Sequence, residues 1–295
     1  MQEIVTALAN GSIYALMALA IGIIYSTTQI INFAHGSVIM IGAMSSYWLL
    51  SFAQMNFITA MLLAVLINIV LSIVIYKVSV EKLGDLTNNS RWIVTLFGAG
   101  IIIDNTARIL FGTEPKAYPY LFDGKVIPIF GSKIMVHEIM MILVAVVIGI
   151  VYQIVIQKTN FGRAVRAVSF RPDTSRLMGI RSNHIVLICF AISGAVAAIS
   201  GALIAPITFA SYTMTYSIGI KAFAAALIGG LGNTKGAFIG GISLGLIEEI
   251  ANMVVPGGLK DAISFLIMII VIIVLPGGIL SAKLFNKGEL NAEKV

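Results

Sequence analysis

Charged side chains inside apolar segments are the residues of this chain best placed to do chemistry. Asp104 and Arg108 are four residues apart, a spacing that lets two side chains pair on one face of a helix. Glu248 and Glu249 lie in another apolar segment, where a carboxylate must find a partner, become protonated or face water. These residues predict a polar pathway or a lock between helices, or else a structural ion pair with an interfacial carboxylate. The sequence shows no further acids at compatible depth, which argues against a proton-coupled carrier.

A polar break interrupts the first long apolar run at residues 29–37. Asn32, His35 and Ser37 can bond freed backbone groups, and Gly36 permits a sharp turn or a close helix approach. A polar break at membrane depth usually lines protein or a cavity rather than lipid. The break therefore predicts either a bend at the mouth of a translocation pathway or a tight turn between two spans, in which His35 only caps a helix.

A strongly basic stretch separates two apolar segments at residues 158–183. It carries one acid, Asp173, against the cations Lys158, Arg163, Arg166, Arg171, Arg176 and Arg181. Pro172 is placed where a short helix can begin and Gly179 where it can end. A basic loop is held on the cytoplasmic side of a membrane. A short cytoplasmic helix between two spans suggests a lever that a soluble partner moves.

The sequence does not favour enzyme chemistry or a cofactor. The glycine-rich run at residues 229–236 resembles a phosphate-binding loop, but Thr234 precedes Lys235 and Gly236 takes the Ser/Thr position. No Ser-His-Asp set, metal motif or catalytic acid pair is in view. Cys189 is the only cysteine, so an intrachain disulfide is impossible. We expect a non-catalytic chain with no cofactor of its own.

Composition makes the chain a membrane protein. Of its 295 residues 59% are hydrophobic and 11% are charged, whereas a soluble domain holds about 25% charged residues. The net charge of +6 lies in loops beside apolar spans without aromatic interleaving, so it does not indicate nucleic-acid binding. Membrane lipid is the expected surrounding.

The elements that must position these residues are membrane-spanning helices of about 20 residues. The sequence predicts an all-α, polytopic domain over residues 1–295 with about 8–10 transmembrane helices and a short cytoplasmic coupling helix. The candidate segments are Ile4–Tyr25, Ile30–Phe52, Phe57–Val78, Trp92–Phe111, Val136–Ile156, Ile185–Pro206, Ile218–Leu231, Ala237–Val255 and Ala262–Leu280. The seventh is short for a full crossing and predicts a half-helix or broken span.

The distribution of cations predicts the orientation. Placing the basic loop inside and alternating outward puts the N-terminus outside and the tail at residues 282–295 inside. The loop at residues 112–135 then lies outside, and its run Lys125–Phe130 is a candidate strand of a hairpin. Small residues repeat every fourth position in the C-terminal half, as in Gly194-x3-Ala198 and Gly241-x3-Gly245, which predicts close helix contacts.

Three blocks of the sequence resemble the signatures of branched-chain amino acid ABC importer permeases. The first is GSIYALMAL at residues 11–19 with INFAHG at 31–36. The second is GRAVRA at 162–167 with LMGI at 177–180, and the third is KAFAAALIGGLGN at 221–233. The blocks follow the family's order over most of the chain, and the chain is most similar to the shorter permease of the pair.

This resemblance implies an importer built from two permeases, two cytoplasmic ATPases and an extracytoplasmic solute-binding protein. ATP would be bound by the partner ATPases, and the chain would lie in a prokaryotic inner membrane as a multi-pass subunit. The second permease is expected to be a homologue. The solute would be a branched-chain or related hydrophobic amino acid.

The residue pattern and the resemblance together suggest roles for individual residues. The coupling segment would comprise Gly162, Arg163, Arg166, Pro172, Asp173 and Gly179. The translocation pathway or its gates would involve Tyr14, Asn32, His35 and Glu248. The segment departs from the family where Phe170 and Arg171 replace common acids and Ser175 replaces a small Ala. The more basic loop favours an acidic surface on the ATPase.

Other functions remain compatible with the sequence. A related permease for urea, short amides or other amino acids would share the three blocks. A stand-alone channel or secondary transporter would leave the basic stretch without a purpose. A structural membrane scaffold would lack polar residues lining a shared cavity.

Overall fold

The computed structural model describes residues 2–83, 90–120, 124–129, 132–170, 175, 177–254, 260–274 and 278. Within them the chain is almost entirely helical. The helices are α1 (Gln2–Thr28), α2 (His35–Ser51), α3 (Phe57–Ser79), α4 (Arg91–Phe111), α5 (Val136–Lys158), α6 (Asn160–Phe170), α7 (Ser182–Thr208), α8 (Met214–Gly229), α9 (Thr234–Val254) and α10 (Lys260–Val274). A 3₁₀ turn at Glu81–Leu83 and a small hairpin complete the described elements.

The predicted all-α membrane fold is confirmed, and each predicted apolar segment coincides with a helix. Five stretches among the described residues are long and apolar enough to cross a membrane: α1, α3 with its 3₁₀ extension, α4, α5 and α7. Helix α8 has 16 residues, which agrees with the prediction of a short seventh segment. The predicted tail at residues 282–295 lies outside the described residues.

Helix α1 is the centre of the bundle. It packs against α5, α7, α8 and α9, and 89% of the residues in its most apolar 18-residue stretch are buried. The corresponding buried share is 28% or less for α3, α4 and α5, whose Leu, Ile and Val side chains point outward. Because lipid replaces water as the solvent of these faces, exposed apolar side chains are expected there.

Glycines let α1 and α9 approach to backbone contact. A side chain at Gly241 would run into the backbone of Ala15, and one at Gly245 into Gly11. On the other side of the bundle, Gly201 of α7 lies directly against the Ile39 carbonyl of α2. The small-residue pattern predicted from the sequence therefore marks real helix contacts.

The predicted outer loop spans the residues between α4 and α5 and contains a two-stranded hairpin. Strands β1 (Val126–Ile129) and β2 (Ser132–Met135) pair antiparallel, in agreement with the predicted strand. Lys116 pairs with Ala210 in the connection between α7 and α8, so the loop is tied to the bundle. Tyr118, within this loop, is buried, and this burial raises its pKa to about 12.

Polar contacts fix the end of the bundle that carries this loop. The Thr6 hydroxyl of α1 donates to the Glu138 carboxylate of α5 at 2.7 Å. The His137 ring lies 2.8 Å from the Leu203 carbonyl of α7. These bonds set α1, α5 and α7 at a common level, so the basic segment after α5 lies at the opposite end.

Candidate translocation pathway

The polar break between α1 and α2 is a short, locally stabilised, non-helical segment. Gln29 has a positive φ of 55°, which stops α1. The Asn32 side chain then accepts a hydrogen bond from the Ala34 N–H at 3.1 Å, an Asx-type turn that leads into α2. Asn32 and His35 are both buried. Asn at position 32 favours this turn because its side-chain oxygen accepts a hydrogen bond from a backbone N–H that would otherwise have no acceptor.

The break returns into the bundle instead of turning at its surface. Gly232, just after α8, packs against Tyr25 and Ser26 near the end of α1. Gly36 at the start of α2 packs against Gly219, which lies about ten helical residues, or roughly 15 Å, before the end of α8. Six extended residues can cover about 20 Å, so residues 29–34 bridge this interval. The break is therefore more than a tight turn at the surface of the bundle, and its role as the mouth of a translocation pathway stays a prediction.

A cleft of about 340 Å³ opens beside this break. Its walls come from the break itself, the first turn of α2, the middle of α4 and the first half of α8. The polar residues that line it are Asn32, His35, Ser37, Asp104 and Thr215, and the apolar ones include Phe33, Phe97, Ile101, Ile220 and Phe223. Phe33 stacks on Phe97 with ring centroids 4.4 Å apart. The cleft thus joins a polar end to an aromatic wall.

Asp104 does not form the ion pair that the sequence spacing suggested. Its carboxylate accepts a hydrogen bond from the Thr215 hydroxyl of α8 at 2.8 Å. Asp104 is 7% exposed, whereas Arg108 lies on the exposed surface of the same helix. The prediction of an Asp104–Arg108 pair is wrong. A spacing of four residues permits two side chains to meet but does not require it, and α4 is rotated so that Asp104 faces α8.

Lys221 of α8 and Glu248 of α9 form a buried ion pair. The Lys221 ammonium lies 2.6 Å from the Glu248 Oε1, and the two side chains are 6% and 2% exposed. The sequence identified Glu248 as needing a partner, but Lys221 was missed as that partner. The signal was available, since Lys221 is also a charge within an apolar segment. Opposite charges in neighbouring apolar segments are natural partners.

The predicted pathway residues fall into two groups. Asn32 and His35 line the cleft, together with Asp104 and Thr215, which the sequence analysis did not assign to it. Tyr14 is buried in α1, and neither it nor Glu248 is among the residues that line the cleft. The pathway prediction for Tyr14 and Glu248 stays a prediction.

The basic segment begins with an amphipathic helix, α6, which the sequence analysis did not predict. Val165 and Val168 are buried against the bundle, while Arg163 and Arg166 are exposed on the opposite face. Gly162 lies directly against the Ile156 carbonyl at the end of α5, and Arg166 donates to that same carbonyl. A glycine is needed at 162 because any side chain would push α6 away from α5.

The end of the predicted lever helix is described, and its start is not. Pro172 and Asp173 lie outside the described residues. Gly179 has a φ of 80°, and the Ile180 N–H donates to the Ser175 carbonyl at 3.0 Å. This six-to-one bond with a left-handed glycine is the Schellman ending of a helix, as expected for Gly179. Leu177 and Met178 beside it are 89% and 76% exposed.

A helical bundle with a central re-entrant break, a cleft and a basic amphipathic segment at one end defines a membrane transport permease. The sequence profile of the family described as "Branched-chain amino acid transport system / permease component" matches residues 3–272. The chain belongs to this family.

Curated relatives agree over nearly the full length. The chain is 31% identical over 292 residues to the high-affinity branched-chain amino acid transport system permease protein LivH of Escherichia coli, covering 95% of both. It is 32% identical to the corresponding protein BraD of Pseudomonas aeruginosa, again with 95% of both chains covered. A probable LivH of Methanocaldococcus jannaschii is 24% identical over 288 residues, with 92% of this chain and 90% of the relative covered.

One solved structure supports the fold. The complex of PsaBC from Streptococcus pneumoniae with a Fab contains a chain that matches with a TM-score of 0.51 at 14% identity. The match covers 94% of each chain. At this identity the likeness concerns the fold alone, and it extends over the whole bundle.

Proposed function

We propose that this chain is a permease subunit of an ATP-driven importer that moves branched-chain amino acids across the inner membrane of a prokaryote. The relatives LivH and BraD are named as permease proteins of high-affinity branched-chain amino acid transport. The observation that carries the proposal is the segment at residues 160–180. Its described residues present exposed cations and exposed apolar side chains at one end of the bundle, which suits the docking of a soluble motor.

In this proposal the segment transmits the motion of a cytoplasmic ATPase. Arg163 and Arg166 face outward, and Phe170, Leu177 and Met178 offer apolar anchors for a groove. The close contact of Gly162 with α5 and the Ser175–Ser182 hydroxyl pair at 3.0 Å tie the segment to the helices on either side. A push on the segment therefore reaches α5 and α7 together. ATP binding and hydrolysis belong to the partner subunits.

The pathway in this proposal runs past the cleft at the α1–α2 break. Asn32 and His35 line it, while Tyr14 and the Lys221–Glu248 pair act as a lock in the packed centre. A second, homologous permease completes the pathway on the side of the cleft. A solute-binding protein docks on the face that carries the hairpin, and the C-terminus lies in the cytoplasm.

The test is leucine uptake driven by ATP in proteoliposomes that contain the chain with its copurified partners. We expect the double variant Arg166→Glu, Gly179→Pro to lose uptake and ATPase stimulation while inserting normally. Reversing the charge at 166 opposes docking, and proline cannot adopt the positive φ at 179. Lys77→Glu, an exposed cation at the same end of the bundle, is the charge-matched control. Unchanged uptake in the double variant would contradict the proposal.

A further inference from the structure

Asp104 is a carboxylate inside the membrane domain without a cationic partner. It accepts a hydrogen bond from the neutral hydroxyl of Thr215, and no Lys or Arg among the described residues forms a salt bridge with it. A buried carboxylate in a membrane span normally faces a partner or a water-filled cavity. Asp104 lines the 340 Å³ cleft. A positively charged ligand in the cleft can therefore supply the counter-charge that the Asp104 carboxylate lacks.

The amino end of α2 supplies the opposite polarity in the same cleft. Ala34 provides no side-chain cap, and among the described residues the N–H groups of Gly36 and Ser37 have no backbone acceptor outside the helix. Uncapped N–H groups at a helix start attract a carboxylate through hydrogen bonds and the helix dipole.

His35 holds this helix start in place. Its side chain is 3% exposed and belongs to the wall of the cleft, and its ring is hydrogen-bonded to the backbone of Met17 in α1. The ring therefore fixes the first turn of α2 beside α1, so that the free N–H groups of this turn keep their position at the cleft.

The two polar ends lie at the right separation for one small zwitterion. The Ser37 hydroxyl donates to the Gly100 carbonyl at 3.4 Å, so the start of α2 lies at the level of Gly100. Asp104 is one helical turn further along α4, or about 6 Å. An ammonium and a carboxylate on one carbon, each with a hydrogen bond of about 3 Å, span such an interval.

The remaining wall of the cleft is apolar and suits a branched side chain. Phe33, Phe97, Ile101, Ile220 and Phe223 line it. Its volume lies at the small end of the range of about 300–1,000 Å³ that is usual for ligand sites.

We propose that this cleft is a solute-binding site for an α-amino acid with an apolar side chain. Asp104 and Thr215 receive the ammonium group, and the N–H groups of Gly36 and Ser37, held in position by His35, receive the carboxylate. The aromatic wall takes the side chain. The site rests on the proposed function and adds to it the residues by which the membrane subunit itself recognises the solute.

Direct binding tests the site without requiring transport. Trp92 lies beside the cleft, since Phe33 stacks on it with centroids 6.2 Å apart, and the other tryptophan, Trp48, is on an exposed face. In the Trp48→Phe background, Trp92 fluorescence of the purified full chain in nanodiscs reports occupancy. The probes are L-leucine, 3-methylbutylamine, which lacks the carboxylate, and 4-methylpentanoate, which lacks the amine.

We expect Asp104→Asn to weaken the binding of leucine and 3-methylbutylamine by about tenfold or more, because a charge-assisted bond is lost. Binding of 4-methylpentanoate should not weaken. His35→Leu, which removes the hydrogen bond to Met17 that holds the start of α2, should show the reverse pattern, with leucine and 4-methylpentanoate affected and the amine spared. Glu249→Gln removes a membrane-segment carboxylate that does not line the cleft and should leave all three affinities unchanged.

Two outcomes overturn the site. If the Asp104→Asn and Glu249→Gln variants bind the three probes alike, Asp104 does not receive the ammonium. If wild-type fluorescence does not respond to leucine while the complete complex takes up leucine, the solute bypasses this cleft and the proposed function stands without it. A complex that transports no leucine at all contradicts the proposed function itself.

Discussion

The Lys221–Glu248 pair joins α8 and α9 in the part of the bundle where a single charge would be most costly. Both side chains are almost fully buried, and the ammonium and carboxylate are in direct contact at 2.6 Å. Such a pair adds little net stability over apolar residues of equal size, but removing one partner leaves an uncompensated charge. We expect the ion pair to fix the register between α8 and α9.

A double-mutant cycle tests this interpretation. We expect Glu248→Leu or Lys221→Met alone to lower stability by about 3–5 kcal/mol, because each leaves a buried charge without its counter-charge. The double change Lys221→Met with Glu248→Leu should restore most of that loss. Thermal unfolding of the detergent-solubilised chain, followed by size-exclusion chromatography, measures the effect. Single variants as stable as wild type would show that the pair is solvated.

At the scale of elements, the contact between α1 and α9 is the one most dependent on glycine. Gly11, Gly241 and Gly245 bring the two backbones together without intervening side chains. Close backbone approach of this kind gains dispersion contacts that lipid cannot replace.

Gly241→Val should separate α1 from α9 and destabilise the bundle by about 3 kcal/mol, the upper part of the range for overpacked cores. The matched control is Gly98→Val in α4, where an added Cβ meets nothing within 4 Å. Limited proteolysis in detergent reports the difference. Equal resistance of the two variants to protease would contradict the packing at Gly241.

The sequence predicted the helices well because a membrane span is dictated by length and hydropathy, which any window of the chain displays. Contacts between spans were harder to predict. Asp104 was paired with Arg108 because both lie on one helix, whereas its actual partner, Thr215, comes from α8. Spacing along one helix is visible in a sequence, but the rotation of that helix against its neighbours is set by packing.

In the candidate site, too, features of one segment could be predicted from the sequence and contacts between segments could not. Asn32 and His35 were found because polar residues in an apolar run are conspicuous. The return of residues 29–34 into the bundle was not predicted, since it depends on the contact of Gly36 with Gly219. Helix α6 was missed because its charges suggested a loop, although Val165 and Val168 follow a helical spacing.

At the scale of the whole molecule, the two ends of the bundle differ in what they offer to partners. One end carries the hairpin with the exposed Lys133, and the other carries α6 with the exposed Arg163. The orientation predicted from the cations puts the hairpin outside and α6 in the cytoplasm.

Cysteine labelling in intact cells tests this orientation. The native Cys189 is 1% exposed and should not react, so single cysteines can be introduced without removing it. We expect Lys133→Cys to react with a membrane-impermeant maleimide in intact cells, and Arg163→Cys to react only after permeabilisation. The reverse pattern would invert the proposed topology.

The central position of α1 has a consequence for how the protein is made. Helix α1 leaves the ribosome long before α7, α8 and α9, which cover it and begin more than 150 residues after it ends. Its mean hydropathy of 1.9 is sufficient for insertion, but its glycine face has no partner during that interval. The packing around α1 therefore stays incomplete in the membrane until residue 254 has left the ribosome. Truncation before α9 should leave an inserted product that quality-control proteases remove.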